Sequence, residues 1–97
     1  MNKFNIEKLS VKQCVNPIYT YRVEFVPEDF IKWLKPYGNT RTMDFSKKLL
    51  LFTHSLGFRL STVINGSIIK IHSISKNDDG FNLFENNIFD FFKSYKI

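Results

Sequence analysis

The sequence predicts an α+β fold, in which an antiparallel four-stranded sheet carries helices packed on one face. Two alternating apolar runs joined by an Asn-Gly pair predict one hairpin, and two earlier runs with the same alternation predict a second strand pair. Apolar residues at helical spacing between and after these runs predict the helices. The expected element order is ββα followed by αββα, in one compact domain that spans residues 1–97.

The clearest single element is a β-hairpin over residues 58–74, which read FRLSTVINGSIIKIHSI. Asn65-Gly66 supplies the two positive φ angles that a two-residue type I′ turn requires, and this turn places Arg59 opposite His72. A shift of one residue in the strand pairing would expose the apolar side chains to solvent, so the register is well determined. One face carries the mainly apolar set Phe58, Leu60, Thr62, Ile64, Ile69 and Ile71, and the other carries Arg59, Ser61, Val63, Ile68, Lys70 and His72.

The first part of the chain predicts two strands and a short helix. Residues 9–15 and 18–26 alternate between apolar and polar side chains, and an Asn-Pro turn signal separates them. Pro27 suits the first turn of a helix, which Pro36 and Gly38 would end. These elements form the expected ββα half of the domain.

Two further helices are predicted around the hairpin. After a polar loop over residues 39–43, Asp44 is a suitable N-cap for a helix that runs to Leu56, with Gly57 just past its C-terminus. The core face of this helix would carry the apolar residues Phe45, Leu49, Phe52 and Leu56. The last helix covers about residues 82–95 and carries a stripe of aromatic side chains.

The composition is basic, because 14 Lys and Arg against 9 Asp and Glu give a net charge of +5. Such a charge favours a polyanionic partner. However, Phe, Ile, Asn, Lys and Tyr make up 45 of the 97 residues, and alanine is absent. Since AT-rich codons encode these five amino acids, we hypothesise an AT-rich genome, such as that of a phage, a mobile element, an organelle or a low-GC bacterium. Part of the lysine excess would then reflect codon usage.

The chain is expected to be intracellular. Cys14 is its single cysteine, which excludes an internal disulfide. The longest apolar run, residues 49–52, is far shorter than the roughly 20 residues of a membrane-spanning helix. No apolar segment of a signal peptide follows Lys3. We therefore expect no membrane partner and a location in the cytoplasm, or in the host cytoplasm for a phage-encoded protein, with an organelle as the alternative.

The sequence offers no catalytic set, so we expect a protein that is not an enzyme. His54, His72 and Cys14 are the groups suited to nucleophile or general-base chemistry near neutral pH, and no spacing brings them together. Residues 77–80, Asn-Asp-Asp-Gly, lack the flanking ligands of a calcium loop and predict a turn. No cofactor, metal or small-molecule substrate is therefore expected.

The open face of the predicted sheet is the candidate binding site. If the two strand pairs adjoin, this face carries Lys12, Arg22, Arg59, Ser61, Lys70 and His72. Cations and hydroxyl groups on a sheet can follow a phosphate backbone without reading base sequence. The aromatic residues share the core parity, which argues against a base-stacking platform. The leading hypothesis is a non-enzymatic binding protein that contacts nucleic acid or a nucleoprotein complex.

Two other functions remain open. Leu50, Leu51 and Phe89 lie away from the predicted core stripes, so they either belong to a wider core or form an apolar patch for a protein target or a homodimer. A phage- or mobile-element-type inhibitor of this kind would act by steric occlusion of a host enzyme or defence complex. The third hypothesis is a small subunit of a larger ribonucleoprotein assembly. No motif assigns the chain to a known family.

Overall fold

The computed structural model describes residues 6–12, 18–72 and 78–95, and it confirms an α+β fold with an antiparallel sheet. The sheet has six strands, so the predicted number of four is wrong. The strands are β1 (Ile6–Lys12), β2 (Ile18–Val23), β3 (Gly38–Asp44), β4 (Lys48–His54), β5 (Arg59–Val63) and β6 (Ile68–His72). The helices are α1 (Asp29–Leu34), which a 3-10 turn extends over Lys35–Tyr37, and α2 (Asp78–Ser94). Within the described ranges, neither helix combines the length and the apolar character that spanning a bilayer requires.

The strands lie in the order β1-β2-β6-β5-β4-β3, and every neighbouring pair is antiparallel. The β5–β6 hairpin therefore occupies the centre of the sheet. The β3–β4 hairpin replaces both the loop predicted over residues 39–43 and the helix predicted over residues 44–56, and both predictions are wrong. The observed element order is ββα followed by ββββα.

The composition of β4 explains the wrong helix prediction. Its sequence KLLLFTH is apolar at consecutive positions, so it matches helical spacing and strand alternation equally well. In the structure β4 lies between β3 and β5, and the hydrogen-bond ladders on both sides outweigh the local helical pattern. Two residues of the predicted core stripe are consequently exposed, Phe45 by 75% and Leu56 by 43%.

The predicted register of the central hairpin is confirmed, but its turn is not a two-residue turn. Arg59 lies opposite His72 and Leu60 opposite Ile71, as predicted. Asn65 adopts a left-handed φ of 68°, whereas Gly66 donates its N–H to the Val63 carbonyl at 2.8 Å without a left-handed φ. The turn residues form backbone hydrogen bonds with neighbouring segments. The Ile64 N–H donates to the Lys48 carbonyl, and the Ser67 carbonyl accepts the Val23 N–H.

Both helices pack on one face of the sheet. The strand residues buried there share one parity, and Tyr21, Leu50, Phe52, Leu60, Ile69 and Ile71 are among them. Phe84 of α2 stacks on Phe52 at a centroid distance of 5.7 Å, and Phe30 of α1 packs against Phe92 of α2. The aromatic stripe predicted for the last helix thus forms the centre of the core.

A partly buried polar cluster holds α2 over the β1–β2 end of the sheet. Tyr21 Oη donates to Glu85 Oε2 at 2.6 Å, and Lys8 Nζ lies 2.8 Å from the same oxygen. Burial, together with the Glu85 carboxylate, raises the pKa of Tyr21 far above its usual range, so the phenol stays protonated as a donor. The helix layer is therefore fixed on this side, and no described helix covers the opposite face.

Candidate functional site

The uncovered side of the sheet, called here the open face, has side chains arranged in three rows that cross five strands. The registers of the neighbouring strands define each row in the order β2, β6, β5, β4 and β3. The first row is Ile18, His72, Arg59, Thr53 and Asn39. The second row is Thr20, Lys70, Ser61, Leu51 and Arg41. The third row is Arg22, Ile68, Val63, Leu49 and Met43, where the step from Ile68 to Val63 extends the β5–β6 register by one residue beyond the Thr62–Ile69 pair. Polar and cationic residues thus concentrate in the first two rows, and aliphatic residues in the third.

A groove of about 750 Å³ lies over the first two rows and is called the basic groove below. It is lined by Asn39, Arg41, Leu51, Phe52, Thr53, Arg59, Leu60, Ser61 and His72. Two guanidinium groups and one imidazole meet an amide and two hydroxyl groups there, and no carboxylate is among the lining residues. Such a donor set suits an anion with several oxygen atoms.

The cations of the open face differ in their partners. Arg22 pairs with Glu7 across β1 and β2 at 2.7 Å, with both side chains exposed. Arg41, Arg59 and Lys70 form no ion pair with any residue that the structure describes. These three side chains are therefore available to an anionic partner, whereas the charge of Arg22 is already partly balanced.

The structure brings four predicted site residues together at the centre of the sheet. Arg59, Ser61, Lys70 and His72 lie in adjacent positions of β5 and β6. Arg22 is on the same face but lies in the third row. For Lys12, the register places the residue opposite Ile18, in line with the first row.

The predicted apolar patch is not formed. Leu50 is fully buried beneath the helices, and Leu51 lies on the opposite face of the sheet in the basic groove. Phe89 is half-buried and packs edge-on against Tyr21, with ring centroids 5.9 Å apart. The alternation of a strand separates Leu50 from Leu51, whereas the predicted helix would have kept them on adjoining surfaces.

Arg41, Asn39 and Thr53 contribute to the groove but were absent from the predicted site. Arg41 and Asn39 fell in the predicted loop, and Thr53 in the predicted helix. One signal was available, because GNTRTMD sets Arg41 between two threonines with the period of a strand. The basic site is consequently wider than the central hairpin.

His54, which the sequence offers as a candidate for acid–base chemistry, packs against aromatic side chains under the helices. It ends β4 on the helix side, where its ring centroid lies 4.7 Å from those of both Phe58 and Phe84. Its Nδ1 accepts the Leu56 N–H at 3.0 Å. Burial lowers the pKa of His54 below its ordinary value of about 6.5.

Of the other two reactive groups named in the sequence, the structure describes only His72, which does not lie beside His54. His72 lies on the open face, and Cys14 lies outside the described residues. Of the turn predicted over residues 77–80, Asn77 also lies outside them, whereas residues 78–80 begin α2, so the turn prediction is wrong there. Within ranges 6–12, 18–72 and 78–95, no three His, Cys, Asp or Glu side chains are grouped so as to hold a metal ion.

The environment of His54 predicts a pH-dependent stability. The unfolded chain binds a proton on His54 at the ordinary pKa of about 6.5, while the folded state resists protonation because the ring is buried and Nδ1 is an acceptor. Its stabilising contribution is therefore complete above that pH and is lost as the pH falls through the lower folded pKa. Urea unfolding between about pH 7.5 and pH 5.5 should show wild type losing more stability than H54Q. Equal dependence of stability on pH in wild type and H54Q would contradict the assignment.

Comparison with protein-family models, with curated proteins and with solved structures finds no match to the chain. The basic groove and the three rows of the open face are therefore the basis for the functional proposal.

Proposed function

We propose that this is a non-enzymatic binding protein whose basic groove contacts the phosphate backbone of nucleic acid. The supporting observation is the convergence of Arg41, Arg59 and His72 in one groove that no carboxylate lines. Arginine is the side chain best suited to phosphate oxygens, because its planar group presents several donors in a fixed geometry. The chain has 11 Lys and 3 Arg, so codon usage explains an arginine less easily than a lysine. The two arginines are therefore stronger evidence for a binding surface than lysines at the same positions would be.

The surroundings of the groove favour contact without base readout. In the described strands, the aromatic residues Tyr19, Tyr21 and Phe52 have the parity of the covered face. Phe52 is among the residues that line the groove, but it is only 2% exposed, so it offers no ring for base stacking. Arg41 and Arg59 lie two strands apart, a separation of about 10 Å that lets them reach different phosphate groups. Lys70, beside Ser61 in the second row, extends the cationic surface towards β2. These features support a nucleic-acid partner bound through its phosphate backbone.

The decisive experiment compares two double charge reversals. R59E/K70E changes the open face, whereas K32E/K35E makes the same change in net charge at exposed positions of the helix layer. Fluorescence anisotropy with a labelled single-stranded DNA or RNA at low salt should show at least about tenfold weaker binding for R59E/K70E. The slope of log affinity against log salt should fall by about 1.4, roughly 0.7 for each lost phosphate contact.

The control variant should bind nearly as wild type does. If wild type does not bind at low salt, or if both double variants lose affinity equally, the proposal is wrong. Circular dichroism on each variant verifies that the sheet is retained. R41Q should give a smaller loss, because it removes one charge from the groove without reversing it.

A further inference from the structure

Four aliphatic side chains form a continuous row across the open face, called here the aliphatic row. Met43, Leu49, Val63 and Ile68 occupy neighbouring positions on β3, β4, β5 and β6. Each is partly accessible, and Ile68 is 36% exposed. The basic groove does not include these residues, so the row is a second feature of the same face.

The row makes the open face unlike an ordinary solvated sheet surface. An antiparallel sheet with one side in water normally alternates between apolar and polar residues along each strand. In β4, Leu50 and Phe52 are covered by the helices, but Leu49 and Leu51 on the other side are also apolar. A strand that is apolar on both faces is typical of a sheet covered on both faces. This composition indicates a partner over the row.

Cations flank the aliphatic row on both sides along the strand direction. Arg41 and Lys70 lie in the second row on one side. On the other side, Lys47 at the β3–β4 turn lines a depression of about 590 Å³, together with Val63 and Ile68. Lys48 and Glu28 also line this depression and pair with each other at 3.5 Å, so Lys47 is the cation that remains for a partner there. Lys47 is exposed and forms no ion pair with the described residues. A partner is therefore expected to carry carboxylates on both sides of an apolar stripe.

We propose that the aliphatic row is the docking site for an acidic amphipathic helix of a partner protein. The four strands span about 14 Å, from three strand spacings of about 4.8 Å. Apolar residues at i, i+4 and i+7 of a helix cover about 10 Å, so one apolar stripe fits along the row. Carboxylates on the two flanks of that helix would lie against Arg41 and Lys70 on one side and Lys47 on the other.

Charge complementarity favours this partner over a second copy of the chain. On the described strands, Glu7 is the one carboxylate with the parity of the open face, and it already pairs with Arg22. Two open faces packed together would therefore place Arg41, Lys47 and Lys70 against a surface that offers them no unpaired strand carboxylate among the described residues. A nucleic-acid backbone would satisfy the cations, but it would leave Leu49 and Val63 without an apolar partner.

Two synthetic helical peptides of about 18 residues provide the probe. They share the same leucine stripe, with Glu on both flanks in one peptide and Lys in the other. Two-dimensional NMR of the full chain should show the Glu peptide shifting the amide signals of Leu49, Val63 and Ile68. The Lys peptide should bind at least about tenfold more weakly.

Three variants separate the contributions. L49T/V63T places threonine, a β-branched residue that suits strands, at both positions and removes apolar surface, so it should weaken binding of the Glu peptide at least about tenfold. K47E should reduce the preference of the chain for the Glu peptide over the Lys peptide. F45S, which changes a 75% exposed apolar residue outside the row, should bind as wild type does.

Several outcomes would overturn the proposal. Equal binding of the two peptides would do so, as would amide shifts confined to the basic groove. A dimer seen by analytical ultracentrifugation and abolished by L49T/V63T would identify a second copy as the occupant instead. The same variant should retain oligonucleotide affinity, so failure of this proposal is distinguishable from failure of nucleic-acid binding at Arg59 and Lys70.

Discussion

Replacing Phe84 with alanine is expected to lower the free energy of unfolding by about 3–5 kcal/mol. Phe84 is buried on α2, and its ring centroid lies between 4.7 and 6.2 Å from those of Trp33, Tyr37, Phe52, His54 and Phe58. These rings belong to α1 and the 3-10 turn after it, to β4 and to the residue that precedes β5, so they cannot all collapse into the space that Phe84 leaves. Since domains of this size are stable by about 5–15 kcal/mol, the loss is a large fraction of the total.

Urea unfolding followed by the fluorescence of Trp33 measures this loss. F84L keeps much of the buried volume and should lose clearly less stability than F84A. F45A is the matched control, because Phe45 is 75% exposed and its truncation should change stability by no more than about 0.5 kcal/mol. A loss below about 1 kcal/mol in F84A would show that the ring cluster is not the centre of the core.

The elements predicted correctly are those in which local signals agree with tertiary packing. The register of β5 and β6 followed from strict alternation around Asn65-Gly66, and the sheet uses that alternation to bury Leu60 and Ile71. The aromatic spacing of the last helix likewise coincides with its buried face. The turn differs from the predicted two-residue turn, because its carbonyl and amide groups form hydrogen bonds with segments distant in sequence. Local sequence patterns do not describe such contacts.

The β3–β4 hairpin could not be predicted from local patterns, because its decisive contacts are non-local. Phe45, Leu49, Phe52 and Leu56 satisfy helical spacing by coincidence, since β4 is apolar at consecutive positions. Pairing with β5 orients Leu50 and Phe52 towards the helices, and pairing with β3 completes the ladder. Tertiary hydrogen bonds and burial thus override a helix signal of this kind.

The candidate site was predicted where it depends on the central hairpin and missed where it depends on β3. Arg59, Lys70 and His72 were grouped on one face because the hairpin register alone sets their positions. Arg41 joins them only because β3 pairs with β4. The aliphatic row was missed for the same reason, since Met43 and Leu49 become neighbours of Val63 only in the six-stranded sheet.

Replacing Gly38 with alanine is expected to destabilise the fold by about 2–4 kcal/mol. A Cβ atom at this position would overlap the Thr53 carbonyl oxygen and would lie 3.0 Å from the Cα of His54. Both obstacles are backbone, so no side-chain rotation can relieve the contact. The φ of Gly38 is 166°, an extended value open to any residue, so the requirement for glycine is one of space.

The loss of structure in G38A is expected at the β3 edge of the sheet, which contributes Asn39 and Arg41 to the basic groove. Gly38 pairs with His54 at the start of β3, so its displacement should open the β3–β4 ladder and remove Arg41 from the groove. Hydrogen exchange should show the largest loss of protection in β3 and β4, and urea unfolding should show the loss of stability. Oligonucleotide affinity should fall although no charged residue has changed.

The same substitution at Gly80 is the matched control. Gly80 lies within α2, where alanine is favoured over glycine by up to about 1 kcal/mol, so G80A should be as stable as wild type or more so. Unchanged stability in G38A would contradict the steric requirement. Retained oligonucleotide affinity with an opened β3–β4 ladder would instead show that Arg59 and Lys70 suffice, because these cations lie on β5 and β6 and do not depend on β3 for their positions.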